Sequence, residues 1–457
     1  MNHYRALLGR PSLRRFILAG AFAFAAPTAV LVALVWALAT AYPGVTPTFQ
    51  VEYGALALAL LGLSATVPTL LSAIFSGTLA DRVERRHLML VVTLVSLAAT
   101  LGLMVDLTLN PTSRVALPGP PGFFLPMWAI PVFPLWAAIT VATTIYRPAF
   151  NASLPRLVAT AELGTANGIV YASAIAVSVI ATLLTPALFP YVGVGLALGV
   201  PLLLFLFGAL YLVLLEEHLS PPKRAEPRRF LADALEGYRF LWRRKALLEI
   251  TLAALLINFF SAVAFVELGL YVRVWLDLGA GLFVGALLAG ASVGSGVGTL
   301  LIARFRFERR AGQVLIVLTA LQGVAVLGLA FARTIWLALP DMFLFGVLPG
   351  MFMTVFLSTV QATVPNEKLG RVFAADEVGS YALVPAGQYV GGLITLAGGI
   401  QFTYLIAGIG TVAVGLLTLG FRDLRRLGFD PQHPPSAHNE TVGPIALAAQ
   451  EPAALDA

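Results

Sequence analysis

The chain has 457 residues, of which 59% are hydrophobic and only 11% are charged, whereas soluble proteins average about 25% charged residues. The formal net charge is +6, but the basic residues are scattered over many short connections, which argues against a nucleic-acid-binding surface. The absence of cysteine excludes disulfides, thiolate metal sites and cysteine nucleophiles. The composition is that of an integral membrane protein.

In chain order, twelve apolar segments each have the length of about 20 residues that a helix needs to cross a bilayer. The first six are Phe16–Ala41, Gly54–Leu79, Leu88–Leu109, Pro126–Tyr146, Gly164–Phe189 and Val192–Leu215. The second six are Ala246–Leu270, Leu282–Ala303, Gln313–Phe331, Trp336–Thr359, Arg371–Ala397 and Gln401–Phe421. The first segment exceeds the apolar core of a signal peptide, about 7–15 residues, so we predict that it is retained as a membrane helix.

The connections between these spans differ in charge on the two sides of the predicted membrane. Nearly all Lys and Arg residues fall on the side of the termini, and only Arg114, Arg273 and Arg333 fall on the other. Because basic connections stay in the cytoplasm, we predict an even number of spans with both termini cytoplasmic.

One long polar connection divides the spans into six and six. Within it, Arg228–Arg244 has the apolar spacing of an amphipathic helix on the membrane surface. We therefore predict an N-terminal bundle over 1–215, a linker over 216–245, a C-terminal bundle over 246–421 and a disordered tail over 422–457.

Short motifs recur in the two halves, which indicates an internal duplication. Ala152–Pro155 before the fifth span resembles Ala362–Pro365 before the eleventh, and Glu84–Arg86 after the second span resembles Glu308–Arg310 after the eighth. Two echoes at matching places make chance the weaker explanation. Two six-helix bundles related by an axis along the membrane normal would place a substrate site between them.

The connection after the second span reads Gly-Thr-Leu-Ala-Asp-Arg-Val-Glu-Arg-Arg, and we predict a tight loop there. It resembles the Gly-x-x-x-Asp-Arg-x-Gly-Arg-Arg loop of the major facilitator superfamily. The resemblance implies a gate formed by Gly77, Asp81, Arg82, Arg85 and Arg86, in which Asp81→Asn would reach the membrane but transport poorly. The alternative is a basic stop that sets topology and nothing more.

A second motif lies between the fourth and fifth spans. Its Arg-Pro-Ala and Leu-Pro-Arg-Leu-Val sequences contain Arg147, Pro148, Pro155 and Arg156. They resemble bacterial exporters of this superfamily related to enterobactin and macrolide efflux pumps. The resemblance implies an all-α membrane fold of twelve helices in two six-helix bundles, and proton-coupled export of amphipathic molecules such as drugs or siderophore-like metabolites.

The sequence departs from the family pattern at two places. Glu84 occupies the position of the loop glycine, so the turn cannot depend on a glycine conformation there. The fifth span, at Ser178–Pro186, lacks the glycines of many antiporters, and a similar glycine run occurs instead at Pro385–Gly392. Antiport is thus implied by the exporter branch more than by that motif.

Carboxylates inside spans are costly, so each is a candidate site for proton coupling. The candidates are Glu377, Asp376, Asp341 and Glu267. We assign coupling first to Glu377, because Tyr381 follows one turn later on the same face. Arg273 lies within reach of Glu267 as a candidate partner. The alternative is that these acids are solvated at helix ends, where charge is tolerated.

Aromatic and polar side chains at helical spacing predict a substrate cavity. Its candidate residues are Phe133, Trp136, Thr140, Asn258, Phe345, Phe352, Tyr381 and Gln388. The stripe on the tenth span, which includes Phe345 and Phe352, could instead pack against lipid or a neighbouring helix.

The sequence carries no enzyme signature and no phosphate-binding loop, so we expect neither catalysis nor ATP-driven transport, and no cofactor or metal. The expected partners are a small-molecule substrate, protons and the lipid bilayer, with no nucleic acid, and we expect a monomer. Two alternatives remain open: an uptake permease for a small polar solute, and a membrane sensor that has lost transport.

Overall fold

The computed structural model describes residues 9–40, 47–110, 116–118, 124–126, 128–158, 162–216, 219, 238–302, 304–305, 307–364 and 366–428. Within those ranges the side chains of 47–53, 74, 77–78, 80–82, 116–118, 124–126, 163–164, 308, 366–371 and 374 lie outside the description. Long apolar helices dominate, because a helix satisfies its backbone polar groups internally where lipid offers no hydrogen bonds.

Among the described residues, the first half contains seven α-helices, since its sixth span is built from two. They are α1 (Pro11–Ala39), α2 (Pro47–Arg82), α3 (Arg85–Leu109), α4 (Ala129–Ser153), α5 (Leu163–Ala187), α6 (Phe189–Ala197) and α7 (Gly199–Val213). Strands β1 (Ala116–Pro118) and β2 (Phe124–Pro126) form an antiparallel hairpin between α3 and α4, where the sequence indicated only an irregular connection.

The second half follows the same plan with more interruptions. Its helices are α8 (Lys245–Phe265), α9 (Leu268–Leu270), α10 (Leu282–Ile302), α11 (Ala311–Phe331), α12 (Ile335–Thr363), α13 (Asn366–Tyr381), α14 (Val384–Thr418) and α15 (Arg422–Arg425). A π-helix, Tyr271–Trp275, continues directly from α9. The predicted linker helix and tail lie largely outside the described residues.

Ten helices of the described residues are long and apolar enough to cross a bilayer, and the α6–α7 pair, bent by 48°, adds an eleventh span. The 44-residue segment Ala375–Thr418 is long enough for two crossings and turns at Gly399, where φ is +79°. It therefore supplies two spans, which is consistent with the twelve predicted. Gly193, at the matching turn of the first half, also has a φ of +79°, a conformation that glycine adopts readily.

Two predicted spans are present but interrupted by short breaks in the helix. The α-helix of the seventh span ends at Phe265. In the segment that follows, the Tyr271 hydroxyl donates a hydrogen bond to the Leu329 carbonyl on α11, so a tertiary contact overrides the helical structure that the apolar pattern predicted. The eleventh breaks after Tyr381, because Pro385 has no N–H to donate to the Tyr381 carbonyl.

Successive spans run in alternating directions, so the molecule has two ends. We call the end that holds the start of α1, the α2–α3 junction and α15 the basic end, and the other the opposite end. The two halves approach each other closely at the opposite end, where a Cβ on Gly269 would lie 2.7 Å from Val35 of α1. Leu270 packs on Gly54 of α2, and a Cβ on Gly285 of α10 would overlap the backbone of Thr182 on α5. The halves are thus packed together at that end.

Candidate functional site

The predicted ten-residue loop between the second and third spans is wrong, because α2 continues to Arg82 and only Val83 and Glu84 interrupt the helices. Glu84 is the N-cap of α3, and its Oε2 accepts a hydrogen bond from the His87 N–H at 2.7 Å. A carboxylate at this position satisfies an N–H that has no partner within its helix. This explains how Glu84 can replace the family's glycine.

Glu84 also links the junction to the segment after α7. Its Oε1 accepts a hydrogen bond from the Leu219 N–H at 3.0 Å. Burial alone would raise the pKa of Glu84, but the N–H groups of His87, Leu219 and Arg86 outweigh it and hold that pKa below its ordinary value. Glu84 is therefore held as an anion at this end.

The two arginines after Glu84 bind the ends of other helices in the first half. Arg85 donates to the carbonyl of Ala152 on α4 at 2.8 Å, and Arg86 donates to the carbonyls of Leu212 and Val213 on α7 at 2.9 and 2.8 Å. The last carbonyls of a helix lack intrahelical partners and favour cations. These bonds tie α3 to α4 and α7.

The other members of the predicted gate are Gly77, Asp81 and Arg82, which belong to α2. Their side chains lie outside the described part of the chain, so their gating role remains a prediction. Elsewhere at the basic end, Arg10 forms a two-pronged bond to Glu162, at 2.9 and 2.8 Å, which ties α1 to α5.

The second motif is more helical than predicted, because Arg147 and Pro148 lie within α4 rather than in the connection. Pro155 and Arg156 belong to a short 3-10 helix that follows it. Arg147 is exposed although it lies inside a span. An exposed guanidinium there requires a space that water can enter.

Residues from both halves border this space. Tyr381 of α13 is 46% exposed, Glu377 one turn before it is also exposed, and Arg147 of α4 interacts electrostatically with the Tyr381 phenol. These side chains come from opposite halves and remain accessible, and we call the space between them the opening. It lies toward the basic end, whereas the close contacts between the halves described above lie at the opposite end.

Asp376, next to Glu377, lies on an adjacent helix face and turns toward α8 instead. Its Oδ1 accepts hydrogen bonds from Thr251 at 2.5 Å and from Ser380 at 3.3 Å. Asn258, a predicted cavity residue, donates to the Ser380 carbonyl at 3.0 Å. Asp376 and Asn258 therefore join α8 to the broken eleventh span.

Gln388 joins the two halves near mid-span. Its Oε1 accepts a hydrogen bond from Thr66 of α2 at 3.0 Å, and a Cβ on Gly62 would lie 2.7 Å from the Gln388 side chain. This polar contact between the bundles separates the opening from the opposite end of the molecule.

The predicted cavity residues of the fourth and tenth spans divide into two groups. Phe133, Thr140 and Phe352 are partly buried, whereas Trp136 and Phe345 are only 5% and 7% exposed. Trp136 of the fourth span and Phe345 of the tenth pack in the core in this conformation. For Phe345, whose ring packs against Phe265, this agrees with the alternative that the tenth-span stripe packs against a neighbouring helix.

The remaining carboxylates lie near the opposite end of the second half. Glu267 is 0% exposed, so the alternative that it is solvated at a helix end is wrong. Neither of its oxygens has a hydrogen-bond partner among the described residues, so the candidate pairing with Arg273 is also wrong. Asp341 of α12 is partly buried and packs against Gly328 of α11.

Sequence reasoning missed two tyrosines beside Glu267. Tyr404 of α14 is 1% exposed, interacts electrostatically with Glu267, and has no described hydrogen-bond partner for its hydroxyl. Tyr271 is fully buried, and its ring lies 4.8 Å from that of Tyr404. A phenol inside an apolar span is the only sequence signal that could have singled them out.

Comparison with known proteins agrees with this architecture. The family model of the Major Facilitator Superfamily matches residues 16–375 and 273–451. The MFS-type transporter YfiS of Bacillus subtilis is 25% identical over 394 residues, which cover 81% of this chain and 86% of that protein. The multidrug efflux pump Tap of Mycobacterium tuberculosis is 24% identical over 220 residues, 47% of this chain and 50% of the pump.

Among solved structures, the nucleoside transporter NupG superposes with a TM-score of 0.69 at 11% identity, over 90% of this chain and all of that one. At that identity the likeness concerns the fold alone. Together with the family model, which covers most of the chain, it shows that this protein belongs to the major facilitator superfamily of membrane transporters.

Proposed function

We propose that the protein exports amphipathic small molecules in exchange for protons, by alternating access across a bacterial inner membrane. The observation that carries the proposal is the opening at the basic end, bordered by the exposed side chains of Arg147, Glu377 and Tyr381. Basic connections face the cytoplasm, so this conformation would receive substrate from the cytoplasm.

The substrate class follows from the chemistry of that opening. One aromatic ring, one guanidinium and one carboxylate would bind a molecule that combines apolar surface with limited charge. The similarity to the efflux pump Tap supports export, although the match spans about half of the pump. An importer of a small polar solute would need a denser set of hydrogen-bonding groups than these side chains provide.

Within the opening, Glu377 is our candidate for coupling. It is exposed in this conformation, so water can reach it, and its charge acts on Tyr381 one turn away. Asp376 is the weaker candidate, because Thr251 and Ser380 already satisfy one of its oxygens. The Asp81–Arg82 gate would then close this same end when the transporter faces outward.

The test is transport of a panel of amphipathic dyes in inverted membrane vesicles with an imposed proton gradient. We expect accumulation of dye that collapses with the gradient. Glu377→Gln should lose proton-driven accumulation but keep dye exchange without a gradient, whereas Asp106→Asn, a carboxylate change near the opposite end of α3, should keep both. Dye movement that ignores the gradient would contradict proton-coupled export, and gradient-driven depletion of the vesicles would favour the uptake alternative.

A further inference from the structure

The buried carboxylate of Glu267 does not border the opening, so the proposed substrate site gives it no role. It has no exposed surface, and neither oxygen has a hydrogen-bond partner among the described residues. An ionised carboxylate in such surroundings is strongly unfavourable, since it loses hydration without gaining a partner. The packing seen here is therefore compatible with the protonated, neutral form.

The charged and titratable groups around Glu267 do not offset a negative charge. Tyr404 of α14 interacts with it electrostatically, but neither the Tyr404 hydroxyl nor the Glu267 carboxylate makes a hydrogen bond among the described residues, and Tyr271 donates its hydroxyl to the Leu329 carbonyl at 3.0 Å. Asp341 of α12 acts on Tyr271 and would add charge of the same sign.

The nearby cations do not pair with Glu267 in the described part of the chain. Arg273 of the π-helix makes no bond to it, and the Arg333 guanidinium stacks on Trp275, 3.6 Å from the ring centre. Among the described side chains at this level, those of α1 (35–39), α2 (54–58) and α10 (282–288) are all apolar.

Glu267 also lies at the contact that closes the opposite end. It is the N-cap of α9, whose Gly269 packs on Val35 and Ala39 of α1 and whose Leu270 packs on Gly54 of α2. The carboxylate is thus two and three residues from the points where the halves touch. Separation of the halves at that end would remove the packing beside it and admit water.

We propose that Glu267 is a proton-binding site that controls closure of the opposite end. A proton taken from the solution on that side neutralises Glu267 and permits the closed packing seen here, and loss of the proton favours the open arrangement. A ligand shifts a conformational equilibrium by its difference in affinity for the two states, and here the proton binds the closed state better. The inference rests on the proposed proton-coupled function and names where the proton enters.

The experiment uses the absence of native cysteine in the chain. Spin labels on Tyr191→Cys and Trp336→Cys, which are 83% and 81% exposed, would report the distance between the halves at the opposite end. In purified protein in lipid nanodiscs, between about pH 5 and about pH 9, we expect one short distance at acidic pH and a growing longer one as the pH rises. Glu267→Gln should show the short distance at every pH.

The matched control is Asp106→Asn, which removes a partly buried carboxylate at the same end of the first half and should keep the wild-type pH response. A Glu267→Gln protein with the wild-type response would overturn the proposal, as would wild-type protein with no longer distance at any pH. If Glu267→Gln does not accumulate, Glu267→Asp replaces it, and we expect the pH midpoint of the distance change to shift. An unchanged midpoint would equally contradict the proposal. The measurement uses neither substrate nor gradient, so its outcome is separate from that of the dye assay.

Discussion

The two halves share a helical plan but differ in where they hold charge and where their helices break. In the first half, the carboxylate described inside a span is Asp106, which accepts a hydrogen bond from Asn110 at 3.1 Å. The second half holds Glu267, Asp341 and Asp376 within its spans and breaks two of them. Discontinuous helices and π-helical turns are common at functional sites of membrane proteins.

The interior of the first half is built from aromatic contacts instead. Phe16 and Phe150 stack with ring centres 4.2 Å apart, and Phe24 meets Tyr146 edge to face at 5.4 Å. Such pairs contribute about 0.5–1.5 kcal/mol each beyond their burial and do not respond to protons. The first half is thus held by aromatic contacts, whereas most of the carboxylates described within spans lie in the second half, where our proposals place the response to protons.

The largest expected effect is at the joint between the halves. A side chain at Gly285 would overlap the backbone oxygen of Thr182, so Gly285→Val should prevent closure of the opposite end. Overpacking costs about 1–3 kcal/mol, which shifts a two-state population by about 5-fold to about 150-fold. We expect dye transport in vesicles to fall by a factor in that range, with normal amounts of protein in the membrane.

Gly168→Val is the control for that change, because a Cβ at Gly168 has no neighbour within 4 Å. It should transport as the wild type does. Equal losses in both variants would mean that helix propensity, rather than the contact between the halves, explains the effect.

A smaller effect should separate support from gating in the first half. Arg86→Ala removes the hydrogen bonds to the Leu212 and Val213 carbonyls. Hydrogen bonds of charged groups contribute about 1.5–3 kcal/mol to stability. The contribution of Arg86 should be smaller, because its side chain is partly exposed to solvent. We expect the Tm of the purified protein to fall by a few degrees while transport per folded molecule is kept. Arg14→Ala, an exposed arginine with no bond in the described part of the chain, should leave Tm unchanged. Loss of transport at an unchanged Tm would assign Arg86 to the gate.

The smallest effect concerns the cap of α3. Because the folded-state pKa of Glu84 is lowered, its contribution is present above its ordinary pKa of about 4.3 and is lost as the pH falls through the folded value. Glu84→Gln should therefore lower Tm at neutral pH, because it weakens a cap that contributes about 1 kcal/mol to stability. The Tm values of the wild type and the variant should converge as the pH falls toward about 3. A Tm difference that does not change with pH would show that ionisation of Glu84 is irrelevant.

The sequence by itself determined the membrane class, the number and approximate position of the spans, and the duplicated plan. The third span was predicted as Leu88–Leu109 and is Arg85–Leu109 in the structure, and the turn at Gly399 lies where the last connection was expected. These features are local, because a spanning helix satisfies its own backbone and its length is set by the bilayer. Proline at 385 was visible too, but apolar continuity concealed the break that it causes.

Only the tertiary structure decided which polar groups are exposed and which are buried. Asp376 and Glu377 are neighbours in sequence, yet Thr251, 125 residues away, binds one of them while the other faces the opening. The sequence allowed Glu267 to be a solvated acid at a helix end, whereas in the structure it is buried, with Tyr404 nearby and the contacts of α9 next to it. Burial depends on segments far apart in the chain, so hydropathy along one helix cannot reveal it. Whether a carboxylate in a span is solvated, bonded or enclosed is therefore set by how the helices pack.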